Sequence, residues 1–157
     1  MHANLPARFT VELLDWSRAF PLAAQVRRRV FIEEQGVPEI LEWDEQDASA
    51  FHALALDQTG SCLGTGRVIL DEHPGTARIG RMAVLAGFRH MGIGSAILDA
   101  CLAKIRDSGA TAIHLHAQLA VTRFYARRGF REVGTVFEEA GIAHIRMHMP
   151  AQAIRKR

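Results

Sequence analysis

Residues 89 to 95 combine the residue types of an anion-binding turn: the stretch reads Arg89-His90-Met91-Gly92-Ile93-Gly94-Ser95. Gly92 and Gly94 lack a Cβ atom, which lets the backbone turn tightly and approach a ligand closely. The apolar spacing that follows predicts a helix, whose unpaired first-turn N–H groups and positive dipole end attract anions. Arg89 adds a guanidinium that can pair with phosphate oxygens. The stretch predicts a pyrophosphate site, although two glycines alone would equally fit a plain turn.

Two other nucleotide motifs do not fit this spacing. A triphosphate-binding loop ends in Gly-Lys-Ser/Thr, whereas Gly94 is followed by Ser95. A dinucleotide fingerprint needs a third glycine and an acidic residue about 20 positions further on. Neither pattern occurs here, so the predicted anion is not a nucleoside triphosphate or a dinucleotide in those modes.

Acidic side chains are concentrated before the first long apolar strand, at Glu39, Glu42, Asp44, Glu45 and Asp47. Such a group could line a pocket for a cationic amine. A solvated charged loop explains the same composition at least as well, and the sequence does not decide between the two.

The elements that would position these residues follow from apolar spacing and from turn residues. Strands are predicted from Phe9 to Leu13 and over His52–Asp57, Cys62–Leu70, Ala77–Val84, Ile113–Ala117, Phe130–Phe137 and Ile142–Met149. Helices are predicted from Ala19 to a stop at Gly36, from the glycine turn to Gly109, and over Leu119–Arg128. This order predicts an α/β (α+β) fold, with a mixed, mostly antiparallel twisted sheet of about seven strands flanked by helices.

Length and composition are those of an ordinary globular protein. The chain has 157 residues, 48% of them hydrophobic and 23% charged, which predicts one domain over residues 1–157. A net charge of +2 is too small to favour nucleic acid as a partner. Cys62 and Cys101 cannot build a metal cluster or a disulfide framework, so no metal is expected. No apolar run of about 18 residues and no leader pattern occurs, which predicts a cytoplasmic protein with no membrane association.

Further residues extend the pattern of the glycine turn. Met82-Ala83-Val84 precede the turn on a strand, and Gln118 and the run from Phe124 to Phe130 follow the next strand. With Arg89, Gly92 and Gly94, these residues resemble the GNAT superfamily of acetyl-CoA-dependent N-acetyltransferases, whose signature is Arg/Gln-x-x-Gly-x-Gly/Ala. The resemblance covers roughly residues 50 to 150. It extends to the first helix through Arg27, Val30-Phe31 and Glu34-Gln35, which are similar to a bacterial subgroup of poorly known substrate.

The resemblance implies acetyl-CoA as cofactor, lying where the strands Ala77–Val84 and Ile113–Ala117 splay apart, and an amine on a small molecule or peptide as acceptor. It implies these cofactor-binding residues: Met82, Ala83, Val84, Arg89, His90, Met91, Gly92, Ile93, Gly94, Ser95, Gln118, Phe124 and Arg127. Residues expected at the acceptor are Arg27, Glu34, Asp44, Asp47 and His144. The sequence is compatible with a homodimer and does not identify the acceptor.

Transfer of an acetyl group from a thioester to an amine needs a proton donor for the leaving thiolate and an acceptor for the amine proton. Tyr125 is the only tyrosine, and a phenol with a pKa near 10 suits donation to a thiolate, so Tyr125 is the predicted general acid. The alternative is a core aromatic beside Phe124. Many family members carry a base as Glu on the strand before the turn, where this chain has Arg78. His116, which shares a strand face with His114, is the catalytic candidate that takes its place, among several open ones.

Two other functions remain open at the level of sequence. Acyl-homoserine-lactone synthases carry an acidic pattern similar to Glu42-x-Asp44-x-x-Asp47 on a related fold, but they lack the glycine turn. A protein that binds acetyl-CoA as a sensor without turnover would also need that turn.

Overall fold

A computed structural model describes residues 8–155 of the chain. The strands are β1 (Phe9–Leu14), β2 (Phe51–Asp57), β3 (Cys62–Leu70), β4 (Thr76–Val84), β5 (Ala112–Gln118), β6 (Arg131–Glu139) and β7 (Ile142–Pro150). The helices are α1 (Trp16–Arg27), α2 (Glu39–Glu42), α3 (Ile93–Ser108), α4 (Thr122–Ala126) and α5 (Ala151–Arg155). Helix α1 continues as a π-helical segment over Arg28–Glu34, and 3₁₀ turns cover Glu45–Ser49, Ala86–Phe88 and Leu119–Val121. None of the helices within residues 8–155 is long and apolar enough to cross a membrane.

The strands form one seven-stranded sheet in the order β1-β2-β3-β4-β5-β7-β6. Neighbouring strands are antiparallel except β4 and β5, which are parallel. The predicted mixed, mostly antiparallel sheet is therefore confirmed. The final hairpin folds so that β7, its second strand, lies between β5 and β6.

Two helices cover the two faces of the middle strands. Helix α3 buries an apolar stripe that includes Ile97, Leu98 and Ile105, and its last turn ends at Gly109 as its apolar spacing predicts. Each fully buried side chain of this size contributes about 1.5–3 kcal/mol. On the opposite face, α1 packs through Ala19, Ala23 and Val26. Nearly every residue of β3 is buried between them.

Glycines in β3 allow α3 to lie close to the sheet. A Cβ atom on Gly64 would come within 2.9 Å of Ile97, and one on Gly66 within 2.6 Å of the Met82 sulfur. Close contact at these positions fixes the height of α3 over β3 and β4. The N-terminus of α3 therefore has a defined position at the end of β4.

The helix predicted over Leu119–Arg128 is shorter and divided. A 3₁₀ turn over Leu119–Val121 precedes α4, which ends at Ala126. Gly129 follows with a φ of 98°, and the N–H of Phe130 donates to the carbonyl of Tyr125. The left-handed glycine closes the segment as predicted, while the first residues adopt the tighter turn.

Candidate active site

The parallel strands β4 and β5 diverge over their second halves. Their pairing runs from Thr76 with Ala112 to Ile79 with Leu115, and beyond it β4 continues to Val84 and β5 to Gln118. A bulge in β4 lies beside the divergence, where two residues of β4, Arg81 and Met82, lie opposite the single residue Gly66 of β3. Arg81 lies in this bulge with a φ of 52°. The divergence opens a cleft between the two strands.

A cavity of about 1100 Å³ fills the cleft and is also lined by residues of the π-helical segment, of α4 and of β7. Most of the residues implied as cofactor-binding line it: Met82, Ala83, Val84, Arg89, His90, Gly92, Gly94, Ser95, Gln118, Phe124 and Arg127. Both catalytic candidates, Tyr125 and His116, and two acceptor candidates, Asp44 and His144, also line it. Met91 and Ile93 do not: Met91 is exposed, and Ile93 is buried in the core. The cavity therefore brings together most, but not all, of the residues proposed from sequence.

The glycine turn meets one end of this cavity. Gly92 is the N-cap of α3, with φ 84° and ψ 3°, a left-handed conformation that glycine adopts readily. A Cβ atom built on Gly92 would have no heavy atom within 4 Å, whereas one on Gly94 would lie 3.5 Å from the Phe124 ring. Open space in front of a helix N-terminus is the arrangement that accommodates an anion.

Arg89 is held by protein groups next to this turn. Its Nε donates to the Val84 carbonyl at 2.9 Å, and its two terminal nitrogens donate to the Glu34 carboxylate at 2.6 and 2.7 Å. The hydrogen bond from Arg89 lowers the pKa of Glu34 below its usual range. Glu34 itself does not line the cavity. The pair ties the end of the π-helical segment to the turn. Because the partners of Arg89 in this structure are protein groups, its contact with a phosphate stays a prediction.

Two cationic side chains of the α4 region line the cavity, and one of them was missed from sequence. Arg123 on α4 and Arg127, the C-cap of that helix, are four residues apart and both are exposed. Side chains at this spacing share one helix face. Sequence reasoning named only Arg127, although the same i, i+4 spacing signals Arg123 as well.

Tyr125 lies on the inner face of α4. It is 7% exposed, and its ring packs against Phe124 and Phe130 at centroid distances of 5.0 and 6.1 Å. Burial raises the pKa of the phenol well above its usual value. The side chain is thus both a core aromatic and a cavity residue, and its hydroxyl remains protonated at neutral pH.

A histidine and carboxylate group lies at the other end of the cavity. His116 Nδ1 is 3.0 Å from Glu139 Oε1, and His144 Nε2 is 3.7 Å from Glu139 Oε2. The Phe137 ring contacts both imidazoles, at centroid distances of 5.0 Å for His116 and 5.9 Å for His144. Hydrogen bonding by His116 lowers the pKa of Glu139, which keeps it ionised at neutral pH. Sequence reasoning missed Glu139, because its partners come from β5 and β7 and only the sheet order brings them together.

The acidic segment is neither an open pocket for a cationic amine nor a simple solvated loop. Arg27 bridges Glu42 and Asp47, Arg67 bridges Asp47 and Asp44, and Arg81 bridges Glu42 and Asp44; the shortest distances are 2.7–3.3 Å. Three carboxylates are thus matched by three guanidiniums.

Burial divides this cluster into two levels. Arg27 and Asp47 are at most 2% exposed and do not line the cavity, and their ion-pair partners belong to this cluster. Burial raises the pKa of Glu42 against the attraction of Arg81 and Arg27. Burial also acts to raise the pKa of Asp44, but the hydrogen bond and charge of Arg67 lower it overall. Asp44 is the acid of this cluster that remains half-exposed at the cavity.

We expect Asp47→Asn to destabilise the fold strongly. The change leaves Arg27 and Arg67 buried with one carboxylate fewer, and removing one partner of a buried ion pair costs about 3–5 kcal/mol. Chemical denaturation measures the free energy of unfolding. Asp99→Asn is the matched control, because Asp99 pairs with Arg128 at the surface and such pairs contribute about 0–1 kcal/mol. Equal losses in the two variants would contradict a structural role for the cluster.

Comparison with known proteins places the chain among acyltransferases. The family model described as an acetyltransferase (GNAT) domain matches residues 21–151. A Bacillus subtilis protein provisionally named an acetyltransferase is 35% identical over 128 residues, which are 80% of this chain and 85% of that protein. The structure of an N-acetyltransferase, provisionally so named, from Lactobacillus plantarum superposes with a TM-score of 0.82 at 26% identity, covering 91% of this chain and 98% of the other.

A lactone synthase shares the fold but little sequence. The structure of a coenzyme A-dependent acyl-homoserine lactone synthase has a TM-score of 0.74 at 14% identity, covering 95% of this chain and 87% of the other. Identity this low shows a common fold alone. Three observations point to one family: the length of the family match, the identity to the Bacillus subtilis relative and the splayed parallel strands. The chain belongs to the GNAT family of acetyltransferase domains.

Proposed function

We propose that this GNAT-type acyltransferase moves an acetyl group from acetyl-CoA to a primary amine by direct attack of the amine on the thioester. The observation that carries the proposal is the single cavity that joins the open N-terminus of α3 to the His116–Glu139 pair. An elongated ligand with an anionic group at one end and a reactive group at the other matches such a cavity.

The anionic end of acetyl-CoA would lie at the glycine turn. The first-turn N–H groups of α3 supply hydrogen-bond donors, and the space in front of Gly92 is open. Arg123 and Arg127 add positive charge from α4. The pantetheine arm would then run along the edge of β4 that β5 leaves open beyond Ile79, where the backbone at Met82 and Val84 can pair with it as an added strand.

Acetyl-CoA supplies an activated thioester carbonyl at the inner end of the cavity. His116 is proposed as the base that accepts the amine proton. Its Nδ1 is hydrogen-bonded to Glu139, so the amine proton would go to the other ring nitrogen, Nε2. Tyr125 is proposed as the acid that donates to the departing sulfur. The primary amine acceptor would enter past Asp44, His144 and Glu139, which line the cavity. Asp44 is already matched by Arg67 and Arg81, so this entrance carries no unpaired acidic cluster.

An assay of thiol release tests the reaction. The protein is mixed with acetyl-CoA and a panel of amines that includes a polyamine, a lysine peptide, a free peptide N-terminus and an amino sugar. We expect release of the coenzyme A thiol that depends on at least one amine, with a matching acetylated product by mass spectrometry.

Other outcomes of this assay point to other functions. Calorimetric binding of acetyl-CoA with no turnover on any amine would make the chain a sensor. Thiol release that requires S-adenosylmethionine would instead indicate a lactone synthase. Failure to bind coenzyme A at all would contradict the proposal and the sensor alternative.

A further inference from the structure

Glu139 is fixed at one end of the cavity by the hairpin that carries it. It is the last residue of β6, and the turn to β7 is formed by Ala140 and Gly141, with φ values of 52° and 79°. Its carboxylate points to the two imidazoles of His116 and His144, with contacts of 3.0 and 3.7 Å. Because β7 lies between β6 and β5, this carboxylate reaches His116 over the intervening strand.

The hydrogen bond determines which tautomer of His116 is present. An ionised carboxylate only accepts hydrogen bonds, so the Nδ1 atom that lies 3.0 Å from Glu139 must carry the proton. The neutral ring then has its lone pair on Nε2, and Nε2 can accept a proton from an amine. When it does so, the imidazolium lies against a negative charge that stabilises it.

The same reasoning assigns the same tautomer to His144, but with a different partner. Its Nδ1 lies 2.7 Å from the carbonyl of Ile142, and a carbonyl also only accepts, so Nδ1 of His144 is a donor. The Nε2 of His144 is 3.7 Å from Glu139, too long for a hydrogen bond. His144 is also less exposed, with 9% of its side chain accessible against 28% for His116. Of the two rings, His116 is the one bonded to the carboxylate and accessible to a ligand.

We infer that Glu139 is a positioning residue, which holds His116 in the Nδ1-protonated tautomer and stabilises its imidazolium while the amine loses its proton. The inference rests on the proposed function, in which His116 is the base. It explains how the chain can do without a carboxylate on β4, where Arg78 stands.

Charged and titratable groups on every neighbouring strand face this pair. They are Arg78 on β4, His114 on β5, and His144 and Arg146 on β7, with Glu72 paired to Arg78 at 3.6 Å. Burial is the main cause that lowers the pKa of His114, and the charges of Arg146 and Arg78 lower it further, so His114 is neutral at neutral pH. Arg78 and Arg146 are the cations among these groups, and Glu139 is the carboxylate within hydrogen-bond distance of His116.

The first test is a pair of variants measured over a pH range. In Glu139→Gln, the amide oxygen can still accept from Nδ1 but the negative charge is lost. We expect kcat/KM to fall about tenfold or more, but by less than the 10²–10⁴-fold that full loss of general base catalysis costs, and its acidic limb to move to lower pH. Glu139→Ala removes the acceptor as well, and we expect a larger fall. Coenzyme A affinity should not change in either variant. Glu138→Gln is the matched control, since Glu138 is exposed and does not line the cavity.

A double-mutant cycle separates positioning from a merely structural role. If Glu139 acts through His116, then Glu139→Gln should cost little in the background of His116→Ala. An equal cost in both backgrounds would overturn the inference, and so would an unchanged pH profile in Glu139→Gln.

Nitrogen NMR of the histidine side chains provides a readout that does not need turnover. We expect His116 of the wild-type chain to be protonated at Nδ1 when neutral, and to lose that preference in Glu139→Ala. A wild-type His116 protonated at Nε2 would overturn the inference even if acetyl transfer is observed. Conversely, the Nδ1 tautomer in a chain that transfers no acetyl group would support the positioning of His116 by Glu139 and contradict the proposed function.

Discussion

Coenzyme A affinity is expected to fall about 100-fold or more in Gly92→Val. The valine side chain would occupy the open space in front of α3, which the proposal assigns to the pyrophosphate. Charge-assisted hydrogen bonds contribute about 1.5–3 kcal/mol each, and losing two of them exceeds the ~2.8 kcal/mol that corresponds to 100-fold in Kd. Isothermal titration calorimetry with coenzyme A measures the change.

Backbone strain must be separated from loss of the site, because Gly92 has a φ of 84° that valine tolerates poorly. Gly109→Val is a matched control. Gly109 has a φ of 78°, its Cβ would also meet nothing within 4 Å, and it caps the other end of α3. The two positions are about 25 Å apart at 1.5 Å per residue. Both variants should lose stability, by about 1–3 kcal/mol, but only Gly92→Val should lose affinity. Unchanged affinity in Gly92→Val would place the pyrophosphate elsewhere.

The fold could be predicted from sequence wherever one local pattern decided an element. Alternating apolar residues gave β1, apolar runs flanked by turn residues gave β2 and β3, and glycines marked both ends of α3. Strand order was harder, because the hairpin signal around Ala140-Gly141 pairs β6 with β7 but does not say which of them adjoins β5. Partners distant in sequence determine that choice, and local patterns do not report them.

The candidate site also has one part that is local in sequence and could be predicted, and other parts that depend on partners distant in sequence. The glycine turn is local, so residues 92 to 95 could be assigned to the N-terminus of a helix from their spacing alone. The acidic segment is not, because its partners Arg67 and Arg81 lie on β3 and β4. The number of acids therefore suggested a pocket for a cationic amine or a solvated loop. The arginines that neutralise the segment approach it only in the folded sheet. Glu139 was missed for the same reason.

Tyr125 is the residue for which sequence and structure support two roles at once. Its ring packs between Phe124 and Phe130, which is the core position that its helical spacing predicts. It also lines the cavity that the glycine turn and His116 border. Burial raises the pKa of the phenol, which by itself makes it a weaker acid. A thiolate released into the same apolar surroundings would have a raised pKa too, so donor and acceptor remain comparable.

Turnover is expected to fall about 10²–10⁴-fold in Tyr125→Phe, which is the range for general acid catalysis. The change keeps the ring and its packing and deletes only the hydroxyl, so the melting temperature and the coenzyme A affinity should hardly move. Because burial raises the pKa of Tyr125, the wild-type rate should show no loss from phenol ionisation below about pH 10.

Single-turnover kinetics is the appropriate measurement for Tyr125→Phe, since slow product release would hide a loss in the chemical step. The test separates this residue from His116, the proposed base. Loss of His116 should slow proton removal from the amine and be relieved at high pH, where more of the amine is already neutral. Loss of the Tyr125 hydroxyl should not be relieved in that way, because the departing thiolate still lacks a donor. Full single-turnover activity in Tyr125→Phe would show that water or a histidine protonates the sulfur, and that Tyr125 is a core aromatic only.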